Sequence, residues 1–399
     1  MHRKSVMLYL DNAATTPLLP EVRDVMMNYM MDNYGNPSSI YKIGRMNKIA
    51  IEKARKMVAE TIGARTDDIF FTSGGTESDN WVLESAVEAE DKICKNQTYN
   101  RHKGKAHIIV SSIEHPAIIN KCEQLKKRGY DIDYIRVYPN GIINLNDLVS
   151  KIRNDTKLIS VMLVNNEIGT IQPVKSVCNI AAEYGIPVHT DAVAAYGHIP
   201  VNVNELGVDY LSVSAHKIGG AKGVGFLYAK DGNIKPYICG GGQEKGRRSG
   251  TENVAGIMGL ATAAEAACKN LNMRIQAENR TKAYITNRIL REIKDSALNG
   301  DNINRISGNM NFRFKGVNGG ELVIMLDKDG ICVSAGSACH GNSSGPSHVL
   351  KAIGLDDESA QASIRLTTGR GLTKRECDYC VECIKKAVME LRNTVGNII

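Results

Sequence analysis

The sequence predicts an α/β fold, in which a largely parallel sheet is covered on both faces by helices and joined to a second α+β unit. Three observations carry that expectation. Short β-branched runs recur along the first half of the chain, each run ends in a turn of small residues, and each turn leads into a segment of helical periodicity. A helix returning across the face of a sheet starts the next strand in the same direction, so strands alternating with helices pair in parallel.

Taken in order, strands are expected at residues 69–72, 107–111, 158–164, 188–191 and 210–214. Each is a continuous apolar or β-branched run, the pattern of a strand buried on both faces. Helices are expected at 21–32, 44–61, 77–90, 117–128 and 175–184, the last stopped by Gly185 and Pro187. Beyond Asn253 the texture changes. An Ala-rich helical stretch runs to Lys294, strand-like segments follow near 305–314 and 331–334, and a final helix covers 375–392. Residues 99–105, with Arg101, His102, Lys103 and Lys105, read as a solvated basic loop.

Composition narrows the classes. The chain has 399 residues, 43% hydrophobic and 23% charged, which suits a globular protein able to enclose a cleft and excludes a disordered chain or a mini-protein. No run approaches the ~18 apolar residues of a membrane span. The first eleven residues lack the apolar centre of a secretory signal, so a cytoplasmic location is expected, with the ten cysteines reduced. The net charge of +7 comes from 50 basic and 43 acidic residues scattered along the chain. That distribution predicts a slightly basic surface, with neither direct nucleic-acid binding nor a membrane partner.

Three local patterns carry chemistry. Ser214-Ala215-His216-Lys217 closes an apolar strand and precedes a Gly-rich turn, where a partly desolvated lysine becomes available as a neutral amine nucleophile. The string from Thr72 to Asn80 passes from a strand through Gly74 and Gly75 into a helix. Free N–H groups and the dipole at such a start favour a phosphate, with Thr76 adding a hydroxyl. A capping box with Thr76 as N-cap and Asp79 three residues on reads the same string structurally. The string lacks the lysine of a nucleotide-binding loop, which disfavours ATP. Asp191 ends a strand at the carboxyl edge of the sheet, where open α/β folds bind ligands.

These patterns occur in one order with others: the segment from Tyr9 to Thr16, Glu114-His115, Asn165 to Gly169, Arg248 to Thr251, and Gly336-Ser337-Ala338-Cys339. Together they resemble the pyridoxal 5'-phosphate (PLP) cysteine desulfurases of the NifS/IscS type, in the class V aminotransferase family, over nearly the whole chain. The resemblance implies the PLP-dependent transferase fold type I. A large PLP-binding domain with a mainly parallel seven-stranded sheet would span 20–258, and a small α+β C-terminal domain would combine 1–19 with 259–399 and carry a mobile cysteine loop.

It also implies roles. Lys217 would bind PLP covalently and later move the Cα proton. Asp191 would pair with the pyridinium nitrogen, which turns the ring into an electron sink. His115 would stack on the ring and transfer protons, and Asn166 would sit near the phenolic oxygen. Gly75, Thr76, Ser214 and His216 would hold the phosphate, joined by Thr251 from the second subunit of a homodimer. Arg365, assisted by Asn36, would bind the carboxylate of L-cysteine through a guanidinium fork. Cys339 would accept the sulfur as a persulfide for delivery to scaffold or acceptor proteins in iron-sulfur cluster assembly or tRNA thiolation.

Two features depart from that outline. Where the family has a glutamine that hydrogen-bonds the phenolic oxygen, this chain has Ala194, which has no side-chain donor. Other PLP activities therefore remain as alternatives: a selenocysteine lyase, a cysteine β-lyase, an aminotransferase, or a specialised sulfur relay of low activity. Cys377, Cys380 and Cys383 form a C-x-x-C-x-x-C string within the last expected helix. Spacing of three places them on one drifting stripe with no fourth ligand nearby, so core packing is expected and no metal site.

Overall fold

The computed structural model describes residues 7–94, 106–335 and 345–396. The expected basic loop at 99–105 and the expected sulfur acceptor Cys339 lie outside the described residues. Within them the strands are β1 (Leu8–Tyr9), β2 (Ile69–Thr72), β3 (His107–Ser111), β4 (Asp131–Ile135), β5 (Thr156–Ser160), β6 (Val188–Asp191) and β7 (Tyr210–Ser214), continuing with β8 (Gly225–Ala229), β9 (Ser296–Leu298), β10 (Asn309–Phe314), β11 (Ile331–Cys332), β12 (Ser334–Ala335) and β13 (Ser363–Thr367).

Seven strands form the main sheet in the order β2-β8-β7-β6-β5-β3-β4. The pairs from β7 through β4 are parallel, and β8 runs antiparallel to both of its neighbours. Helices Gly75–Cys94, Pro116–Lys127 and Val174–Glu183 make the crossovers. Strands β2, β3 and β6 are buried at every residue; β2 and β3 are apolar at their centres, whereas β6 buries His189, Thr190 and Asp191.

One expected strand needs correction. The ladder of β5 stops at Ser160, and Val161 to Val164 leave it as a buried extended segment whose Val161 and Leu163 N–H groups donate to the carbonyls of His189 and Asp191. Burial keeps that segment apolar although it is no longer a strand. The long helical stretch after Asn253 is also two helices, Val254–Lys269 and Leu271–Glu292, separated at Asn270.

The break marks a change of core. Ala261, Ala264 and Ala267 pack with Leu211, Val213 and Phe226 against the main sheet. Ile285 and Ile289 pack instead with Leu8, Leu10, Phe312 and Ile364, in a second core built on the four-stranded antiparallel sheet β12-β13-β10-β9. The first strand joins that neighbourhood from the other end of the sequence, pairing Leu8 with Ile331 and Tyr9 with Cys332 in parallel. The final helix, Lys374–Gly396, places Cys377, Cys380 and Cys383 in the second core. Burial pushes all three thiols up. None of the helices among the described residues is long and apolar enough to cross a membrane.

Candidate active site

The carboxyl ends of the parallel strands open into a cleft of about 650 Å³. Asp191 closes β6, Ser214 closes the adjacent β7, and one 3-10 turn, Ala215–Lys217, carries His216 and Lys217 over the edge. Beyond β7, across β8, β2 ends at Thr72, and Ser73 and Gly74 lead into the helix Gly75–Cys94. Gly74 has φ +146°, and a Cβ on Gly75 would stand 2.6 Å from the Val193 side chain, so both positions require glycine. Gly75, Thr76, His115, Asn166, Asp191, Ser214, His216 and Lys217 all line the cleft.

The helix start is secured by a different residue from the one expected. Ser73 N–H donates to Glu77 Oε2 at 2.8 Å, and Thr72 Oγ1 lies 2.9 Å from Ser78 Oγ. The capping box on Thr76 and Asp79 is therefore not formed, and the Thr76 hydroxyl is left exposed at the cleft. Arg248 Nε sits 2.8 Å from Glu77 Oε1 and neutralises the one carboxylate at this otherwise electropositive helix terminus.

Lys217 Nζ donates to the backbone carbonyls of Ala13 and, at 2.8 Å, Ala14. The N-terminal segment thus crosses the cleft and orients the amine. Asp191 is buried and accepts Val193 N–H at 2.8 Å. Burial raises its carboxyl to about 6, against the lowering effects of that hydrogen bond and of the Lys217 cation. His216 Nδ1 lies 3.2 Å from Thr15 Oγ1, and burial, followed by repulsion from Lys217 and Lys222, lowers it to about 4. His115 caps the helix Pro116–Lys127. Its Nδ1 accepts Ala117 N–H at 3.1 Å, which leaves the proton on Nε2.

Arg365 reaches this neighbourhood from β13. Its Nη2 is 2.8 Å from Asp11 Oδ1 and its Nη1 donates to Asn166 O at 3.1 Å, while the buried Nε has no protein partner. Two expected residues are not brought to the cleft of this chain. Asn36 is exposed and its Oδ1 accepts Ser38 N–H at 2.9 Å in an Asx turn. Thr251 is exposed on the loop before Val254–Lys269.

Sequence reasoning missed several partners. Asp11 grips Arg365 across 354 residues of sequence, a distance that no local pattern reveals. Asp79 lines the cleft beside Asp191, and His189 is fully buried beneath them. The signal for His189 was available: it precedes Asp191 by two residues on β6 and so shares its face. Glu114 is also fully buried, and burial pushes it up to about 8.

The chain was compared with known proteins. The family model described as aminotransferase class-V matches residues 8–379. A protein named cysteine desulfurase IscS from Dictyoglomus turgidum is 46% identical over 386 residues, 96% of this chain and 95% of that protein. A solved structure titled NifS-like protein superposes with a TM-score of 0.88 at 34% identity, covering 96% of this chain and all of that one. Another, titled SspA in complex with cysteine, gives a TM-score of 0.79 at 33% identity and covers 92% of this chain and all of that one.

Proposed function

Because this chain belongs to the class-V aminotransferase family, we propose that it is a cysteine desulfurase, converting L-cysteine to L-alanine and leaving sulfane sulfur on an enzyme cysteine. The observation that carries this reading is the convergence of Lys217, Asp191 and the start of helix Gly75–Cys94 on one cleft. That set fits pyridoxal 5'-phosphate. A primary amine faces the opening, a buried carboxyl stands on the floor, and the phosphate end meets a glycine cradle whose free N–H groups and adjacent hydroxyls from Thr76 and Ser214 are donors. The buried Asp79 Oδ1 has no protein partner on the cleft floor, which suits a site completed by a further polar group.

When bound, the cofactor supplies an electron sink for the pair left as the substrate's Cα–H bond breaks. The chain's own residues do the rest. Lys217 would anchor the group covalently and serve as the base at Cα, and the Ala13 and Ala14 carbonyls hold its amine in reach. Asp191 would hold the charge that pairs with the ring nitrogen, and Thr76, Ser214 and His216 would hold the phosphate. His115, with its proton on Nε2, and Asn166 line the same cleft and would contact the ring. Arg365 receives the substrate carboxylate on a guanidinium already steadied by Asp11. The Cys339 thiolate attacks the substrate sulfur. The Cβ–S bond breaks, its electron pair stays with the carbon skeleton and is protonated to give alanine, and Cys339 retains the sulfur as a persulfide.

A homodimer completes the reading. Thr251, exposed and outside its own cleft, suits a phosphate ligand given to the partner. Met27, Met30 and Met31 on helix Pro20–Met31, and Tyr41, Met46 and Ile49 at the start of helix Lys42–Thr61, are exposed apolar side chains that a second copy would cover. We assign the enzyme to the cytoplasm and its sulfur to scaffold or acceptor proteins of iron-sulfur assembly or tRNA thiolation. Borohydride reduction with peptide mapping tests the cofactor, with a pyridoxyl group expected on Lys217. Incubation with L-cysteine is expected to yield alanine together with a persulfide on Cys339; pyruvate would indicate a lyase instead.

A further inference from the structure

Below the floor of the cleft lies a group of buried acids that the proposed chemistry does not use. Asp79 projects from helix Gly75–Cys94 and lines the cleft with Asp191, and its side chain is 1% exposed. Its Oδ1 has no hydrogen-bond partner and stands 3.6 Å from His189 Nε2. The His189 ring, fully buried, spans two hydroxyls, with Nδ1 2.9 Å from Ser160 Oγ and Nε2 3.0 Å from Ser212 Oγ. Ser212 Oγ also faces the Asp79 carboxyl. Glu114 is the third acid facing this group, and Lys217 is the cation facing Asp191.

The hydrogen bonds have one consistent direction. With Asp79 neutral, the donors run one way: the Asp79 O–H is directed at Ser212 Oγ, the Ser212 O–H at His189 Nε2, and the His189 Nδ1–H at Ser160 Oγ. Every donor in that chain is used once, with a neutral imidazole. Burial lowers His189 to about 3, so the ring supplies no positive charge to Asp79. Two carboxylates side by side in a dry interior repel strongly, and the pair relieves this by keeping one proton. Burial and the charge of Asp191 raise Asp79 well above the carboxylate range, whereas Asp191 has the Val193 N–H and the Lys217 cation to favour its anion.

We propose that Asp79 is a positioning residue for Asp191: it remains a neutral carboxylic acid backed by Ser212 and His189, so that Asp191 carries the single negative charge beneath the cofactor ring. The role rests on the pyridoxal phosphate reading, but the protonation state belongs to the protein alone. A second negative charge at Asp79 would draw a proton onto Asp191 and remove the counter-charge of the ring nitrogen.

The test reads that proton directly. Apoprotein labelled with carboxyl-¹³C aspartate is examined by infrared spectroscopy at neutral pH, where an isotope-shifted C=O stretch of a protonated acid is expected. The label separates this band from Glu114. The band should vanish in Asp79→Asn and persist in Asp191→Asn. Its absence from the wild-type protein, or its survival in Asp79→Asn, overturns the proposal, and the wild-type measurement stands even if a variant fails to fold. In enzyme loaded with ring-¹⁵N pyridoxal phosphate, Asp79→Asn should keep the nitrogen protonated and Asp191→Asn should not. A deprotonated nitrogen in Asp79→Asn also overturns it. Failure to bind the cofactor would refute the desulfurase reading while leaving the infrared result intact.

Discussion

Asp11 and Arg365, a loop residue at one end of the chain and a strand residue near the other, form an ion pair of 2.8 Å in which the guanidinium is almost wholly buried. One edge of the fork is thereby occupied by Asp11 and the Asn166 carbonyl, and the free Nε faces no protein acceptor. Removing Asp11 strands a buried cation. We expect Asp11→Ala to lower stability by about 3 kcal/mol, the scale for breaking a buried pair, and Asp11→Asn to cost less because an acceptor remains. Urea denaturation measures both, and KM for L-cysteine should rise in each while the bound cofactor is retained.

A second buried pair anchors the loop that leads to Thr251. Glu244 accepts from Arg55 at 2.7 and 2.9 Å and from Phe71 N–H at 2.9 Å, although its own backbone has φ +46°. The left-handed conformation of Glu244 and of Lys245 beside it is maintained by those contacts. Glu244→Ala is expected to destabilise by about 3–5 kcal/mol and to weaken cofactor binding through Thr251. Denaturant midpoints and equilibrium dialysis of pyridoxal phosphate check the two effects.

Glu167 gives a pH dependence. Burial raises its carboxyl to about 7, although the Ser347 hydroxyl and Arg365 favour the charged form. The folded chain therefore holds a proton that the unfolded chain releases near pH ~4.3. The stabilising contribution is complete below that value and is lost as pH rises through about 7. Glu167→Gln should flatten the fall in Tm between pH 5 and 8, as followed by scanning calorimetry of the apoprotein.

Ala194 borders a small cavity that also touches Asn166, His198, Asn309 and Lys217. Ala194→Gln would project an amide donor from this position. One hydrogen bond to a charged oxygen is worth about 1.5–3 kcal/mol, so the pH midpoint of the visible absorbance of the loaded enzyme should fall by about one unit or more. An unchanged midpoint would mean that the oxygen already has a donor.

Cys380 is fully buried in the second core. Cys380→Ser places a hydroxyl among apolar side chains and is expected to cost about 1–3 kcal/mol without altering sulfur transfer. Thermal unfolding and alanine release distinguish this from a metal-binding role, in which iron content would change as well.

Strands β2, β3, β6 and β7 could be read to the residue because each is a short, largely buried run that stops at a small or polar residue, Thr72, Ser111, Asp191 or Ser214, where the chain turns. β4 and β8 were missed for opposite reasons. The first alternates Asp131 and Asp133 with apolar residues at an exposed edge, and the second follows a Gly-rich turn that hides its start. Lys217, Asp191 and the Gly74–Gly75 turn were visible as local strings at strand ends. Asp11 with Arg365 and Asp79 with His189 were not, since each pair joins elements far apart in sequence and only folding brings them together.

The pairing of the first strand with Ile331 and Cys332, and of Asn12 with the carbonyl of Thr367, has a consequence for biosynthesis. A ribosome releases the opening residues hundreds of codons before their partners emerge. The sheet bearing Lys217 can collapse on the nascent chain, but the stretch that steadies its amine finds its seat only after residues 331 to 367 have emerged. Premature termination upstream of codon 365 therefore yields a polypeptide with the nucleophile and without the grip for its amino acid.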